Sequence, residues 1–435
     1  MSVPNAAGTY EVVVNPWQVT DSDYTGQVAL ASSKKKGKQP SAGGEVPDEP
    51  LFDAPCSEGL AGPFPCENVD LAAYLPLSEI GATDIDLVFP NQGNDIWGWT
   101  DPQTGREYAL MGTTSGTAFI DVTEPTEPVF LGQLPSAQPV RTIFRQWSDV
   151  KVHENHAYMV SEEPLHGMQV FDLTRLRDVS EPQTWDANAH YTGFNSAHNI
   201  AIDTDSGYAY AIGTDTCDGG PHIVDISEPA SPAAAGCVDE DGYTHDTQAV
   251  TYDGPDTRYT GHEILFNSNE DTVTIVDVTD KENPVQLSRF GYEGAQYTHQ
   301  GWLTPDSRFF LFNDELDEQQ NGHNTTTYVL DVTDLENPRL RGTHVHDTEA
   351  IDHNLYTKDG KVYEANYRAG LRILSTRPIS GGKLREVGYF DVYPADDAAE
   401  FNGAWSNYPY FDSGTVVVSG IEQGLFVLKP TGAAG

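Results

Sequence analysis

Basic side chains are scarce in this 435-residue sequence. It has 24 Lys and Arg residues against 66 Asp and Glu residues, and its formal net charge at pH 7 is −42. Nucleic-acid binding requires clustered cations that contact phosphates, so we expect no nucleic-acid partner. A surface rich in carboxylates keeps a protein soluble in high salt, where ions screen the self-repulsion. The charge balance therefore favours a saline or calcium-rich exterior.

Long apolar runs and the common catalytic motifs are missing as well. No apolar stretch is long enough to span a bilayer, so we expect no transmembrane segment. There is no GxSxG nucleophile motif and no glycine-rich phosphate loop with its lysine. Only 38% of the residues are apolar, whereas Gly (40) and Pro (28) are frequent. This composition predicts many short elements joined by tight turns.

Cysteine is rare, and the four residues fall into two local pairs, Cys56 with Cys66 and Cys217 with Cys237. Neither pair has the CxxC spacing of a zinc or redox site, so two disulfides are the better interpretation. Disulfides persist in oxidising compartments. We therefore expect an extracellular, cell-surface or periplasmic location.

One phrase recurs along the chain: an apolar strand that ends in Asp, then a Thr or Ser turn, then Pro and another strand. Five copies place the Asp at steps of 51, 53, 52 and 54 residues, at Asp121, Asp172, Asp225, Asp277 and Asp331. Two degenerate copies follow, around Ser375 and Lys429. Each copy contains four short apolar runs separated by Gly, Asp or Pro, and four strands at a period near 50 residues are typical of a propeller blade.

The sequence therefore predicts an all-β fold, a seven-bladed β-propeller of four-stranded blades over residues 51–435. The seventh unit stops after three strands, and the segment VDLAAYLPLSEIG (69–81) resembles a fourth strand. We expect this N-terminal strand to complete the last blade, which removes the open edges of the ring. Residues 1–50 are predicted to be an N-terminal extension and a flexible linker; the KKKGK cluster in it is interpreted as a solvated charge run.

Several longer phrases carry a family resemblance over about residues 50–430. SAHNIAID, GTDTCDGGPHIVDIS, DGYTHDTQAV, YTHQGWLTPD and FNGAWSNYPYF, together with the strands TIVDVT and HIVDIS, resemble the choice-of-anchor B family of bacterial and archaeal proteins with LVIVD repeats. The resemblance implies a secreted or surface-attached propeller whose anchoring device varies among members. It implies no particular reaction.

The first strand of each unit carries two aligned polar positions. The first position holds His in four successive blades, and its members are Asn94, Ser148, His198, His245, His299, His353 and Ser406. The next position holds Asp95, Asp149, Asn199, Asp246, Gln300, Asn354 and Asn407. Inner strands border the channel of a propeller, so these side chains are expected to converge on its axis.

Two interpretations of the four histidines stay open. Repeated polar residues often hydrogen-bond to the backbone of a neighbouring blade, and this structural role is the one we favour. Alternatively, His198, His245, His299 and His353 bind a ligand or a transition metal such as copper or zinc, with the adjacent Asp, Asn and Gln side chains fixing the tautomers.

Three acidic loops are candidates for Ca²⁺, because hard cations prefer oxygen ligands. Their oxygen-bearing residues are Asn267, Asn269, Asp271, Asp314, Asp317, Asp215 and Asp218. None of the loops matches an EF-hand, so solvated turn carboxylates are the more economical interpretation.

The function expected first is a binding or scaffold propeller of the cell exterior with a protein or glycan partner. A metal-dependent oxidoreductase or hydrolase using the histidine ring is the second hypothesis, and whether the chain is an enzyme is left open. The third is a filament or surface-layer subunit that assembles through the N-terminal strand EVVVNPWQV.

Overall fold

The computed structural model describes residues 45–82, 91–138 and 146–435. Its first four strands are β1 (Leu51–Ala54), β2 (Leu60–Ala61), β3 (Phe64–Glu67) and β4 (Val69–Pro76). The predicted strand EVVVNPWQV and the KKKGK cluster lie outside the described residues, so the assignment of residues 1–50 stays a prediction.

The remaining strands follow in chain order, blade by blade. Blade 1 contains β5 (Gly93–Thr100), β6 (Glu107–Thr113), β7 (Gly116–Asp121) and β8 (Val129–Pro135). Next come β9 (Ser148–His153), β10 (His156–Ser161), β11 (Met168–Asp172), β12 (Gln183–Thr184) and β13 (Ala189–Tyr191). Blade 3 contains β14 (Asn199–Asp203), β15 (Tyr208–Ile212), β16 (His222–Asp225) and β17 (Ala233–Cys237). Blade 4 contains β18 (Asp246–Thr251), β19 (Glu263–Ser268), β20 (Thr272–Asp277) and β21 (Val285–Gly291).

The last three blades complete the ring. Blade 5 contains β22 (Thr298–Leu303), β23 (Phe309–Asp314), β24 (Thr326–Asp331) and β25 (Arg339–Val345). Blade 6 contains β26 (Leu355–Lys358), β27 (Lys361–Ala365), β28 (Leu371–Ser375) and β29 (Arg385–Phe390), and blade 7 contains β30 (Ala404–Tyr408), β31 (Val416–Gly420) and β32 (Gly424–Pro430). Short helices occupy Leu77–Ile80, Leu173–Leu176, Cys217–Gly219, Thr257–Tyr259, Ile379–Gly381 and, as the α-helix α1, Asp317–Asn321.

The inner strands form a closed ring around the channel. Each of β5, β9, β14, β18, β22 and β26 contacts the inner strand of the next blade, and β30 contacts β5. Apolar side chains fill the space between blades; for example, the buried rings of Phe266 in blade 4 and Phe310 in blade 5 stack with centroids 5.5 Å apart. The predicted seven-bladed propeller is confirmed.

The recurring aspartate has a local structural cause. Each of the five residues ends the third strand of its blade, and its Oδ1 atom accepts a hydrogen bond from the backbone N–H two residues later. The Asp225 carboxylate, for instance, accepts from the N–H of Ser227 at 2.9 Å. This side-chain-to-backbone bond mimics a turn, which explains why Asp followed by Thr or Ser recurs at the end of a strand.

Closure of the ring is also confirmed, because β4 pairs antiparallel with β32 as the fourth strand of blade 7. Tyr74 of β4 lies opposite Phe426, and their ring centroids are 4.9 Å apart. Phe64 packs against both rings, and all three side chains are at most 1% exposed. Burial of each large apolar side chain stabilises the fold by roughly 1.5–3 kcal/mol, so this aromatic cluster stabilises the closure of the ring.

Two strand pairings depart from the simple repeat. The phrase after Asp172 continues into the helix Leu173–Leu176, and β12 then pairs in parallel with β8 of blade 1, so that β13 becomes the outer strand of blade 2. At the N-terminal end of the propeller segment, β1 pairs with β4, and the β2–β3 hairpin pairs with β29 of blade 6.

Both predicted disulfides are present, Cys56–Cys66 and Cys217–Cys237. The first ties the chain between β1 and the β2–β3 hairpin, and thereby holds the N-terminal strands that complete blades 6 and 7. In the part of the chain that the structure describes, no helix combines the length and the apolar character needed to cross a bilayer.

Candidate functional site

The structure brings the four predicted histidines together at one end of the channel. His198, His245 and His353 come just before the inner strands of their blades, and His299 is the second residue of β22. The ring centroids of consecutive members are 4.3 Å apart throughout. The residues are 8%, 3%, 2% and 3% exposed in chain order. We call this buried arc of imidazoles the histidine column.

The Nδ1 atoms of three members of the histidine column have hydrogen-bond partners other than an imidazole nitrogen. The Nδ1 atom of His245 donates to the carbonyl oxygen of His299 at 2.9 Å, and that of His353 donates to the carbonyl oxygen of Trp405. A carbonyl can only accept, so these Nδ1 atoms carry the proton and the Nε2 atoms carry the lone pair. The Nδ1 atom of His198 instead faces a carboxylate oxygen of Glu162 at 2.5 Å. Blade stitching through Nδ1 therefore leaves the Nε2 atoms of His245 and His353 available to a ligand.

A carboxylate that the sequence analysis did not single out completes the cluster. Glu315 follows β23, and its Oε1 atom lies 3.5 Å from Nε2 of His353 and 3.8 Å from Nε2 of His299. The hydroxyl of Tyr367 donates to the same oxygen at 2.6 Å. One ligand atom from each of His299, Glu315 and His353 lies within 4.8 Å of the other two.

A signal for this carboxylate exists in the repeat. Glu315 and Glu162 occupy the same blade position, the residue directly after the second strand, in blades 5 and 2. Both carboxylates contact histidines of the column. Aligning the ends of the second strands, rather than the inner strands alone, would have found them.

Burial sets the charge of the cluster. It lowers the pKa of His245 and His299 well below the usual value, with neighbouring histidines adding to the effect, and it lowers the pKa of His353 to about 3. Burial also opposes the charge of His198, but the hydrogen bond to Glu162 and its negative charge outweigh it and raise the pKa of His198. Burial raises the pKa of Glu315 to about 7. Three histidines are therefore neutral bases at neutral pH.

The second polar position of each inner strand contacts neighbouring blades. The side-chain amides of Asn199, Gln300 and Asn407 donate to backbone carbonyls of the next or preceding blade at 3.1–3.2 Å. The Asp149 carboxylate accepts from the N–H of Ile200 in blade 3 at 2.8 Å. Burial raises the pKa of Asp246, in the same position, to about 7.

The members of the first position that are not histidines are Asn94, Ser148 and Ser406. Asn94 and Ser406 are fully buried, Ser148 begins β9, and Asn354 donates to the Ser406 hydroxyl at 3.2 Å. Asn354 of blade 6 also donates to Asp95 of blade 1 at 3.3 Å.

The middle of the channel holds a lysine that no repeat predicts. Lys151 Nζ contacts Asp95 at 2.9 Å and also Asp149, and it lies 4.7 Å from the centre of the Trp97 ring. Both carboxylates are 3% exposed and the lysine side chain is 12% exposed. This network joins the inner strands of blades 1 and 2.

The opposite end of the channel opens into a cavity of about 680 Å³, which we call the funnel. Its walls come mostly from the middle and last residues of the inner strands, but Asp246 and Gln300, which directly follow His245 and His299, also line it. Aromatic side chains dominate one side, and carboxylates line the other: Trp97, Trp302, Tyr356, Tyr408, Tyr410, Asp203, Asp205, Asp246 and Asp253. Among the other aromatic residues, Trp405 lies at the histidine end, 5.0 Å from the ring of His353.

The candidate calcium loops use many of their oxygens internally. Asp314 accepts from the Tyr292 hydroxyl and from the N–H groups of Gln296 and Tyr297, each at 2.7 Å. Asn267 and Asn269 are buried and bond to threonines, Asp271 pairs with Arg289, and Asp215 accepts from the N–H of Asn195. Asp317 accepts from the Tyr328 hydroxyl at 2.8 Å and also lies with Glu318 and His323, so that one ligand atom from each is within 4.8 Å of the others.

Comparison with known proteins supports the repeat. A model of the LVIVD repeat matches residues 197–240. No curated protein matches the sequence. Among solved structures, the Cps50 (Swd1) β-propeller domain of Myceliophteria thermophila is similar at 12% identity and a TM-score of 0.49, over 75% of this chain and 94% of that one.

Two further solved structures are similar. The C-terminal WD40 domain of Sif2 has 10% identity and a TM-score of 0.49, over 79% of this chain and 98% of that one. The computationally designed protein Ika8 has 8% identity and a TM-score of 0.45, over 74% and 80% of the two chains. At these identities and TM-scores, the likenesses carry no conclusion about the role of this chain.

Proposed function

We propose that this chain is an extracellular or cell-surface binding propeller that holds a neutral glycan in its funnel. The observation that carries the proposal is the funnel itself, a cavity of about 680 Å³ with aromatic side chains on one wall. The two disulfides are compatible with an oxidising compartment. The phrases that resemble the choice-of-anchor B family favour the same location.

The chemistry of the funnel suits a sugar. Trp302 and Tyr356 have ring centroids 4.9 Å apart, and Trp97 lies 5.4 Å from Tyr356, so an aromatic cluster exists before any ligand binds. Aromatic faces pack against the apolar faces of sugar rings, while carboxylates accept hydrogen bonds from hydroxyl groups. The volume lies within the range of small-molecule sites.

The charge around the funnel selects among glycans. Asp203, Asp205 and Asp253 contribute carboxylates, and the lysine in the wall is already paired with Asp95 and Asp149. An anionic polysaccharide would meet repulsion with no free cation in the wall to offset it. A neutral oligosaccharide is therefore the ligand class we propose.

The experiment is a screen of neutral and anionic oligosaccharides, followed by calorimetric titration of any hit with wild-type protein, Trp302→Ala and Trp405→Phe. Trp302 lies in the funnel, while Trp405 lies at the histidine end and serves as the matched control. We expect Trp302→Ala to weaken binding by roughly tenfold or more, as truncation of a central aromatic anchor does. The Trp405→Phe variant should bind as the wild type does.

Three outcomes would overturn the proposal: no neutral oligosaccharide binds, only anionic ones bind, or Trp302→Ala binds normally. A purified surface protein that binds and is not displaced by oligosaccharide would favour the protein-partner alternative. Assembly through residues 1–44 concerns a part of the chain outside the described residues.

A metal-dependent enzyme is the second candidate function, and the specific observation that favours it is the cluster of His299, Glu315 and His353. Two histidines and one carboxylate with an open position are the ligand set of many catalytic metal sites. This candidate requires a bound metal, so metal analysis tests its first condition.

A further inference from the structure

We propose that His299, His353 and Glu315 form a binding site for a divalent first-row transition metal, with His245 beside its open coordination position. The proposed metal site does not rest on glycan binding, because none of its three ligands lines the funnel. Neither the LVIVD repeat nor the propeller fold by itself implies this metal site.

The ligand atoms already have nearly the spacing that a metal requires. In a tetrahedral site with metal–nitrogen and metal–oxygen distances near 2.1 Å, neighbouring ligand atoms lie roughly 3.4 Å apart. The Oε1 atom of Glu315 lies 3.5 Å from Nε2 of His353 and 3.8 Å from Nε2 of His299. Two of the three distances between ligand atoms are therefore within a few tenths of an ångström of this spacing, and all three atoms lie within 4.8 Å of one another.

The contact between Glu315 and His353 needs either a proton or a cation between the two atoms. The Nδ1 atom of His353 donates to the Trp405 carbonyl, so in the neutral ring Nε2 presents a lone pair. That lone pair faces a carboxylate oxygen at 3.5 Å, and two electron pairs repel unless a proton or a cation lies between them. The Tyr367 hydroxyl satisfies one lone pair of Oε1 but does not separate the two groups.

Groups behind two of the three ligands, and behind the neighbouring His245, hold these side chains in place. The Trp405 carbonyl orients the ring of His353, Tyr367 orients the Glu315 carboxylate, and the carbonyl of His299 orients His245. Such outer contacts fix the tautomer and raise the basicity of metal ligands. His353 and Glu315 are therefore pre-organised by contacts between the blades.

The donor set indicates the class of metal. Two or three imidazoles with one carboxylate suit zinc or iron(II), whereas an all-oxygen set suits calcium or magnesium. The four cysteines are all in disulfides, so no thiolate competes. The Glu315 side chain keeps 14% of its surface exposed, which provides the ion with an access route from the channel.

A neighbouring cluster provides the internal control. Asp317, Glu318 and His323 come from the same segment between β23 and β24, and their ligand atoms are also within 4.8 Å of one another. Its oxygen-rich composition differs from that of the histidine site. A variant of this cluster separates loss of the proposed site from general damage to the segment.

The experiment measures Zn²⁺ by mass spectrometry in protein purified without a histidine tag or chelator, and Zn²⁺ affinity by competition with a chromophoric chelator. The variants are Glu315→Gln, which keeps the size of the side chain, His353→Asn, whose amide can still donate to the Trp405 carbonyl, and Asp317→Asn as the control. We expect one Zn²⁺ per chain in the wild type and in Asp317→Asn. Affinity should fall by at least about 100-fold in Glu315→Gln and His353→Asn, since even outer-shell changes cost 10–100-fold.

X-ray absorption of the Zn²⁺-loaded wild type gives a second, variant-independent measurement. Scattering from at least two imidazole rings is the expected result and decides the case even if a variant does not fold. The proposal is overturned if the wild type binds no stoichiometric Zn²⁺, if the spectrum contains no imidazole scattering, or if Asp317→Asn alone loses the ion.

Discussion

Replacement of Lys151 by methionine is predicted to destabilise the propeller by about 3–5 kcal/mol at neutral pH. Lys151 is the cation between Asp95 and Asp149, and both carboxylates are 3% exposed. Removing one partner of a buried ion pair leaves an uncompensated charge, which costs that amount. The loss is a large fraction of the 5–15 kcal/mol by which domains are normally stable.

The pH dependence of this loss follows from the pKa of Asp95. Burial alone would raise it, but Lys151 and neighbouring hydrogen bonds keep the pKa of Asp95 below its usual value. A carboxyl with a lowered pKa in the folded state stabilises the protein above its unfolded-state pKa near 3.8, and this contribution disappears as the pH falls through the folded-state value. The difference between wild type and Lys151→Met should therefore be full at neutral pH and shrink below about pH 4.

Urea unfolding followed by circular dichroism at several pH values is the assay, because urea does not screen charges. Lys383→Met, at an exposed position, is the matched control and should change stability by less than about 0.5 kcal/mol. The double variant Asp95→Asn/Lys151→Met should recover part of the loss, since an amide needs no counter-charge. Equal stabilities of wild type and Lys151→Met at neutral pH would refute the reasoning, as would a difference that grows in acid.

Three further predictions concern the scaffold. His346 lies 3.0 Å from Glu364, whose charge outweighs the effect of burial and raises the pKa of His346 to about 9. The charged His346 therefore stabilises the fold fully below about pH 6.5, and this contribution is lost as the pH rises through 9. Urea unfolding should show that the stability cost of His346→Gln shrinks over that range. Replacing Cys56 and Cys66 by serine should lower the free energy of unfolding by about 3 kcal/mol, the chain-entropy value for a loop of this length, and reduction of the wild type should reproduce part of the effect. Asp225→Ala, which removes the turn-closing hydrogen bond, should cost about 1 kcal/mol in the same assay, and an unchanged midpoint would contradict the role assigned to the repeat.

The blade architecture was predictable because its cause is local and repeats. Each aspartate at the end of a third strand, such as Asp225 or Asp277, closes a turn with its own side chain, so the same residue types recur at the blade period. The closing strand was predictable for a similar reason, since the last unit lacked an outer strand and β4 carried the missing pattern. Periodic features are visible in one sequence without any alignment.

The departures from the repeat were not predictable, because each occurs once. The helix Leu173–Leu176 displaces the strand that follows it, and nothing in the residues of β12 indicates that it pairs with another blade. Lys151 is likewise a single residue without a counterpart of the same type in every blade. The histidine column is visible in the aligned inner strands, whereas Glu315 becomes visible only when the ends of the second strands are aligned as well.

The histidine column also shows that blade stitching and ligand binding are not alternatives, because they use different atoms of one ring. His245 donates from Nδ1 to the His299 carbonyl, while its Nε2 atom remains a base. His245→Asn places an amide near the position of Nδ1, and His245→Gln places one near that of Nε2. If both roles exist, the Asn variant should keep most of the stability and the Gln variant should lose about 1 kcal/mol from the missing hydrogen bond, while both bind Zn²⁺ more weakly. Urea unfolding and Zn²⁺ competition on the same samples separate the roles: equal stabilities of the two variants would argue against stitching, and unchanged Zn²⁺ affinity in both would remove His245 from the metal site.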